Sequence, residues 1–373
     1  RVLCPCAQGD HLPGRLMDYS GRLSRAIDLL DGEEVDGLLV TDLINVRYLT
    51  GFSGTAGTVL VHRSGATFFT DGRYKARAAE LVRDAEIAIY RERLVELLPQ
   101  ALTERGVSTL GFESEVLTVA EHADLERDLG INLKATKGVV GGLRRTKEPT
   151  ELAAIREAVR LGDEAFERVV ERLKPGDTER ETALFLEVTM REAGADDVSF
   201  PPIVGSGPHA GHIHHTPTQR EFRSGELVLL DFGARVDGYC SDLTRTVMLG
   251  PGSDELRERY RLVLAAQEAG IASIAPGAQC RAVDASARNV IETAGHGDLF
   301  AHGLGHGVGL DIHEAPRFNR ESEQSLLEGD VVTVEPGIYD PTWGGIRIED
   351  CVHVSATGAD VLSKSPKHEL IEV

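Results

Sequence analysis

The sequence predicts an α+β chain of two domains, and three observations carry that expectation. A length of 373 residues exceeds the roughly 250 at which a single core stops growing. The segment GVVGGLRRTKEPT, residues 138 to 150, sets two adjacent glycines, a basic cluster and a proline where all periodicity stops, as an interdomain linker does. Beyond it one succession of patterns (helix, helix, histidine- and glycine-bearing segment, hairpin) occurs twice. The expected division is an extension of unclear status over 1–16, a small first domain over 17–140, a linker over 141–150 and a second domain over 151–373.

In chain order, the opening RVLCPCAQGDHLPG has no apolar run before a small-residue cleavage site. It does not read as a secretory signal, and a cytoplasmic location is expected. Residues 36 to 71 hold three β-type runs, DGLLVTD, GTVLVHRSG and ATFFTDG, and helical stretches follow near 76 to 104, as in a small α/β domain. Past the linker, Leu152, Ile155, Val159, Phe166, Val169 and Leu173 recur at helical spacing. A second helix opens at a capping box, Thr178 with Glu181, and closes at Gly194. HAGHIHH, residues 209 to 215, comes next. It leads into GELVLLDFGARVDGYCSDLTRTVML, two alternating runs around an Asp237-Gly238 turn, the signature of a tight hairpin.

The second round begins with a helix from about Ser253 and another from about 281 to Gly295. HGLGHGVGLDIHE and the hairpin GDVVTVEPGIYDPTWGGIRIEDCVHV complete it. GELVLLDFG (225–233) lies over GDVVTVEPG (329–337) without a gap, which sets Asp231 against Glu335. Two such units facing each other across a pseudo-twofold axis build one site at their junction.

Composition narrows the function. With 41% hydrophobic and 27% charged residues the chain reads as globular, and no apolar run approaches the ~18 residues of a membrane helix. A formal charge of -20 disfavours nucleic acid, whose phosphates are bound by clustered Lys and Arg. The five cysteines, Cys4, Cys6, Cys240, Cys280 and Cys351, form no C-x-x-C pair and suit reduced thiols, so no disulfide is expected. Eight of the thirteen histidines fall between 209 and 313, the first pointer to a site.

The carboxylates are more informative. With Asp237-Gly238 as its loop, the first hairpin sets Gly233 opposite Asp242 and gives Asp231 the same face. Such diagonal neighbours lie roughly 7 to 8 Å apart, near enough for two carboxylates to meet at a cation. In the second hairpin Glu335 and Glu349 are symmetric about position 342 in a long Pro and Gly loop, so they too stand opposite one another, and Arg347 shares their face. Four carboxylates drawn together need more counter-charge than one arginine, and two divalent cations balance them. His306 is the natural nitrogen ligand, because Gly303, Gly305, Gly307 and Gly309 strip one face of its strand and admit backbone or substrate. An oxygen-rich set with one imidazole suits manganese, cobalt, iron or zinc better than a thiolate-seeking ion. A lone strand aspartate is ordinarily a surface ion-pair partner; the matched acids in matched hairpins point instead to a metal centre. No H-E-x-x-H, G-x-S-x-G, G-x-x-x-x-G-K or G-x-G-x-x-G competes with it.

LDFG, SDLTRT, HGLGHGVGLDIHE, EPGIY and IRIED, in that order, resemble the pita-bread metallopeptidases, family M24, in the branch of prolidase and aminopeptidase P. NVRYLTGFSGTAG and TDGRY resemble the creatinase-type first domain of that family, and RRTKEPTELAAIREA its hinge. The resemblance implies a small α/β creatinase-type N-terminal domain and a C-terminal pita-bread domain of duplicated helix-helix-hairpin units. It implies Asp231, Asp242, His306, Glu335 and Glu349 as ligands of two divalent ions, Mn²⁺ first, with Co²⁺ or Zn²⁺ as alternatives. Glu335 would also take the nucleophile's proton. The family's S-G-x-x-x-x-x-x-H, counted from Ser206-Gly207, lands on His214, its catalytic, substrate-facing histidine. His302 and His313 match further catalytic histidines near the substrate, and Arg347 an arginine behind the ligands. Strand parity makes His212 a candidate pocket wall; His209 and His215 have no role assigned, and Cys240 and Cys351 read as packing.

The implied activity is hydrolysis of Xaa-Pro bonds in small peptides, by a homodimer like its relatives. Proline's tertiary amide lacks the N–H on which general peptidases rely. Arg317 stands four residues after His313, where dipeptidase-type relatives carry an arginine able to grip a free carboxylate. That favours a prolidase acting on dipeptides over an aminopeptidase P acting on longer chains. A non-catalytic binding module on the same fold is the alternative from another class, and the full ligand set argues against it.

Overall fold

Residues 17–373 are described by a computed structural model; the expected extension, with Cys4 and Cys6, lies outside them. The chain divides into two units, one ending at Arg144 and the other spanning Arg145–Val373.

In the first unit the three apolar runs are the strands Gly37–Val40, Thr58–His62 and Gly65–Asp71. Leu38, Leu39, Leu60, Phe68 and Phe69 are fully buried, as befits strands covered on both faces. They form the middle of a six-stranded sheet completed by Glu86–Tyr90 on one side and by Thr109–Glu113 and Asn132–Thr136 on the other. The stretch near 76 to 104 differs from the expected helical run. The strand Glu86–Tyr90 separates the helices Lys75–Leu81 and Leu98–Glu104, because EIAIY pairs in parallel with Gly65–Asp71 and extends the sheet.

The division between the units falls inside the expected linker 141–150, but the segment 138–150 is not irregular throughout. Val139–Arg145 is helical, and Thr146 bridges to Asp330. Pro149 sits in the first turn of the 24-residue helix Pro149–Arg172, where a missing N–H leaves no bond unmade. The backbone N–H of Glu148 donates to Glu151 Oε2 at 2.8 Å, completing the cap.

The duplicated pattern is a duplicated arrangement. Helices Pro149–Arg172 and Glu179–Glu192 precede the strands Ile203–Ser206, Leu227–Phe232 and Leu243–Met248. Helices Asp254–Ala272 and Cys280–Thr293 precede Gly305–Gly307, Val331–Val334 and Asp350–Ser355. Within each round the second strand is antiparallel to both the first and the third. Each has its own core, with Phe166, Leu186, Leu230 and Phe232 in one and Val263, Ile291, Val332 and Val352 in the other. The rounds join where the N–H of Glu349 donates to Thr244 O at 3.1 Å and the Thr246 hydroxyl donates to Arg347 O at 3.1 Å.

Both hairpin registers follow the sequence arithmetic. Val236 faces Tyr239 across Asp237 (φ +49°) and Gly238 (φ +85°), the two left-handed residues a type I′ turn requires. Asp231 faces Thr244, so Asp242 is its diagonal neighbour. A side chain on Gly233 would collide with the Ser241 carbonyl, and this close approach explains the glycine of LDFG. In the second hairpin Val334 faces Asp350 and Gly337 faces Arg347, symmetric about Thr342. The expected long loop is instead a ribbon, Gly337–Asp340 against Gly344–Arg347, closed by Pro341, Thr342 and Trp343. Among the described residues no helix is long and apolar enough to cross a membrane.

Candidate metal centre and substrate cleft

The hairpins, the glycine-flanked strand Gly305–Gly307 and the histidine segment converge on one cleft of about 550 Å³. It is lined by Asp231, Asp242, His306, Glu335 and Glu349, and by His214, His302, His313, Arg317 and Arg347, all the residues expected to bind metal, substrate or the reacting groups or to stand behind them. Strand pairing sets Arg317 opposite His306. Side chains added at Gly303, Gly305 or Gly307 would strike the backbone of Phe318, Thr333 or Ala315, so these glycines let neighbouring backbone press against the strand that holds His306.

Four carboxyls in one buried place raise one another's affinity for protons. Burial is the largest influence on each of Asp231, Asp242, Glu335 and Glu349 and pushes all four up, Asp242 and Glu335 well above the usual carboxylate range. Glu349 is brought to about 8, by burial first and then by the charge of Asp231, with Arg347 opposing. The set thus asks for positive charge that a single guanidinium does not supply. Asp231 Oδ1, Asp242 Oδ1 and Glu349 Oε1 are buried with no hydrogen-bond partner, which native proteins rarely leave uncompensated. One donor atom each from Asp242, His306 and Glu349 lies within 4.8 Å of the others. This donor set, hard and oxygen-rich with one imidazole, fits divalent cations.

His306 is prepared as a nitrogen ligand. Burial brings its pKa down to about 3, so the ring is neutral, and Nδ1 faces Gly307 O at 3.0 Å. Nε2 is left 3.5 Å from Glu335 Oε1 and 3.7 Å from Asp242 Oδ2. Behind the acids, Arg347 is 2% exposed and spends all three of its nitrogens on the site. Nη2 donates to Asp231 Oδ2 at 2.5 Å, Nη1 to the Tyr339 hydroxyl at 3.0 Å and Nε to Thr244 Oγ1 at 3.0 Å. Thr244 Oγ1 in turn donates to Glu349 Oε2 at 2.6 Å. The Tyr339 hydroxyl is also 2.8 Å from His302 Nε2. Burial, then the charge of Arg347, lowers the pKa of His302 to about 4.

Thr244 and Tyr339 were missed in the sequence, although both were within its reach. Residue 244 lies directly opposite 231 in the hairpin register, and 339 has the strand parity of 335 and 337. Arg245, next to Thr244 in sequence, pairs instead with Asp350 at 2.7 Å.

The histidine segment departs from expectation. Gly207–Gly211 is a 3-10 helix rather than a strand, so strand parity fails, and His212 does not line the cleft. Ile213, His215 and Thr216 line it beside His214. His209 Nδ1 and His215 Nε2 each lie 2.9 Å from the buried carboxylate of Glu179, a partner the sequence did not reveal. Elsewhere the ring of His313 stands 4.4 Å from that of His306, edge to face. Phe200, Pro201, Pro202, Ile213 and Ile312 supply apolar wall. Cys240, Cys280 and Cys351 are free and buried; Cys351 Sγ donates to Asp242 O at 3.3 Å, and burial pushes its thiol well up. A neutral thiol in that place packs behind the acids.

The model of metallopeptidase family M24 matches residues 153–356, and that of the creatinase/prolidase N-terminal domain matches residues 22–146. A Xaa-Pro dipeptidase of Pyrococcus horikoshii is 33% identical over 94% of this chain and 98% of its own. The fold is similar to that of a Xaa-Pro dipeptidase from Bacillus anthracis, with a TM-score of 0.93 and 38% identity over 95% of this chain and 100% of that one. It is also similar to an X-Pro aminopeptidase from Thermotoga maritima, with a TM-score of 0.86 and 30% identity over 94% and 100%.

Proposed function

The chain belongs to metallopeptidase family M24, and we propose that it performs metal-dependent hydrolysis of Xaa-Pro dipeptides. Its architecture is a creatinase-type N-terminal domain followed by a pita-bread domain. The boundaries proposed for them, 17–140 and 151–373, are supported by the matches at 22–146 and 153–356.

The observation that carries the reading is the set of three buried carboxylate oxygens without partners, on Asp231, Asp242 and Glu349, beside a neutral His306. With Glu335 these residues would hold two divalent ions, Mn²⁺ favoured and Co²⁺ or Zn²⁺ the alternatives. Such ions, when bound, supply counter-charge, lower the pKa of water and polarise a carbonyl. Glu335 has the most open side chain of the four acids, 19% exposed, and so is placed to take a proton from the attacking water. Water oxygen adds to the scissile carbonyl carbon, the C–N bond breaks, and the proton passes from Glu335 to the proline nitrogen. His214 steadies the carbonyl oxygen as it gains charge. His302, neutral and held by Tyr339, and His313, against His306, face the same space. The apolar wall receives the proline ring, and Arg317 pairs with the free carboxylate of a dipeptide.

The test is release of proline by the manganese-loaded protein from Ala-Pro, with little action on Ala-Pro-Ala. Faster cleavage of the tripeptide overturns the dipeptide preference in favour of an aminopeptidase, the reading that likeness to the Thermotoga enzyme supports. Less than one bound divalent ion per chain after manganese loading removes the metal-dependent reading itself.

A further inference from the structure

The strands Ile203–Ser206 and Leu227–Phe232 are separated by residues 207–226, a long connection whose only helical turn is Gly207–Gly211. Loops of that length inside a folded domain are uncommon unless they serve a function. This one carries His214 and must be held still for that imidazole to act at a fixed point. Its anchor is the start of the helix Glu179–Glu192. The N–H groups of Glu179 and Arg180 donate to Arg220 O and Thr218 O at 3.2 and 3.0 Å, so loop carbonyls satisfy the exposed end of the helix.

The Glu179 side chain, 0% exposed, does more. Oε1 accepts from Ser206 N at 3.0 Å, Ser206 Oγ at 2.8 Å and His209 Nδ1 at 2.9 Å. Oε2 accepts from His215 Nε2 at 2.9 Å, Thr218 N at 3.0 Å and Thr218 Oγ1 at 2.7 Å. One carboxylate therefore ties the end of the preceding strand, Ser206, to three loop residues, His209, His215 and Thr218, on both sides of His214. Burial pushes this carboxyl up, but hydrogen bonds from His215, Thr218 and Ser206 outweigh burial and bring it down to about 2.

We propose that Glu179 is a positioning residue, which fixes Ser206, His209, His215 and Thr218 and so holds the imidazole of His214 and the wall formed by His215 in the cleft. The inference rests on the peptidase reading for its catalytic consequence. Donor atoms of Glu179, His209 and His215 lie close enough to surround a cation. Yet the hydroxyls and amides of Ser206 and Thr218 already occupy the lone pairs a cation would need, so the cluster is a hydrogen-bonded hub rather than a second metal site.

The test is Glu179→Gln, which keeps the shape but turns an amide N–H₂ toward groups that are themselves donors. The kcat on Ala-Pro should fall about 10- to 100-fold, with manganese content unchanged. In a His214→Ala background the same substitution should cost less than about 3-fold, because the group it positions is gone. Hydrogen exchange over residues 206–218 should accelerate at the same time. Wild-type kcat, an equal loss in the His214→Ala background, or the loss of a bound divalent ion each overturns the proposal. Should the Gln variant not fold, Thr218→Val removes one donor, keeps the carboxylate and carries the same measurements with a smaller expected effect. A wild-type protein inactive on Xaa-Pro substrates refutes the peptidase reading instead. Hydrogen exchange then still decides the anchoring, which unchanged exchange in the variant would overturn.

Discussion

Replacing Thr244 by valine removes one oxygen and almost nothing else. Thr244 is fully buried, and its hydroxyl is the link between Arg347 and Glu349, accepting from Nε at 3.0 Å and donating to Oε2 at 2.6 Å. Valine fills the same space, so no cavity term enters. Above about pH 8, where the Glu349 carboxyl is ionised even without metal, losing a hydrogen bond to it costs about 1.5–3 kcal/mol, and leaving the buried Nε without an acceptor adds about 1–3 kcal/mol. A loss near the lower end, about 3 kcal/mol, is expected in the metal-free protein, where nothing else restrains Glu349. Its carboxylate is then free to rotate away from the donor atoms of Asp242 and His306, and manganese affinity should fall about 10- to 100-fold. Calorimetric titration of stripped protein with MnCl₂, with urea unfolding of the same sample, measures both quantities. Affinity within about threefold of wild type together with an unshifted urea midpoint would refute the idea that this hydroxyl organises the centre.

Three further outcomes follow from the same geometry. In metal-free protein Glu349 has its pKa raised from 4.5 to about 8, so the folded state holds a proton the unfolded state releases. Stability is then retained below about pH 4.5 and lost as pH rises to about 8, by up to about 5 kcal/mol; equal urea midpoints at pH 5 and pH 8.5 in EDTA contradict this. His214→Ala should lower kcat on Ala-Pro by about 100-fold or more while manganese stoichiometry stays at the wild-type value, since the residue lines the cleft and is not one of the clustered donors Asp242, His306 and Glu349; a drop in bound metal would make it a ligand instead. Arg317→Ala should raise KM for Ala-Pro by about 10-fold or more and leave a C-terminally amidated Ala-Pro unaffected, because the amide presents no carboxylate for the guanidinium to grip.

Much of the cleft was legible because two period-two patterns meet tight turns. Once Asp237-Gly238 is read as a two-residue loop, every partner in the first hairpin follows by counting, and Asp231 and Asp242 fall on one face. Symmetry about residue 342 does the same for Glu335 and Glu349, even though the loop proved to be a ribbon. The errors arose where a local signal admits two structures. Pro149 marks a break in an irregular chain and equally the first turn of a helix, and only the helix behind it decides between them. EIAIY is too short to reveal its state, and pairing with Gly65–Asp71 made it a strand. Strand parity points His212 into the cleft, but the 3-10 turn Gly207–Gly211 just before it breaks that parity, and His215 lines the wall instead.

What the sequence determined by itself is the set of residues offered to the site, because turn chemistry and side-chain alternation act over a few residues and can be counted along the chain. Only the tertiary structure decided how those residues are held. Thr244 and Glu349 are 105 positions apart, and Glu179 and His215 are 36 apart. Their hydrogen bonds exist because segments of two separate sheets meet and because a helix begins against a long loop. No local periodicity encodes such meetings: a buried hydroxyl or carboxylate acquires its partner only when separate elements pack together and water is excluded from between them.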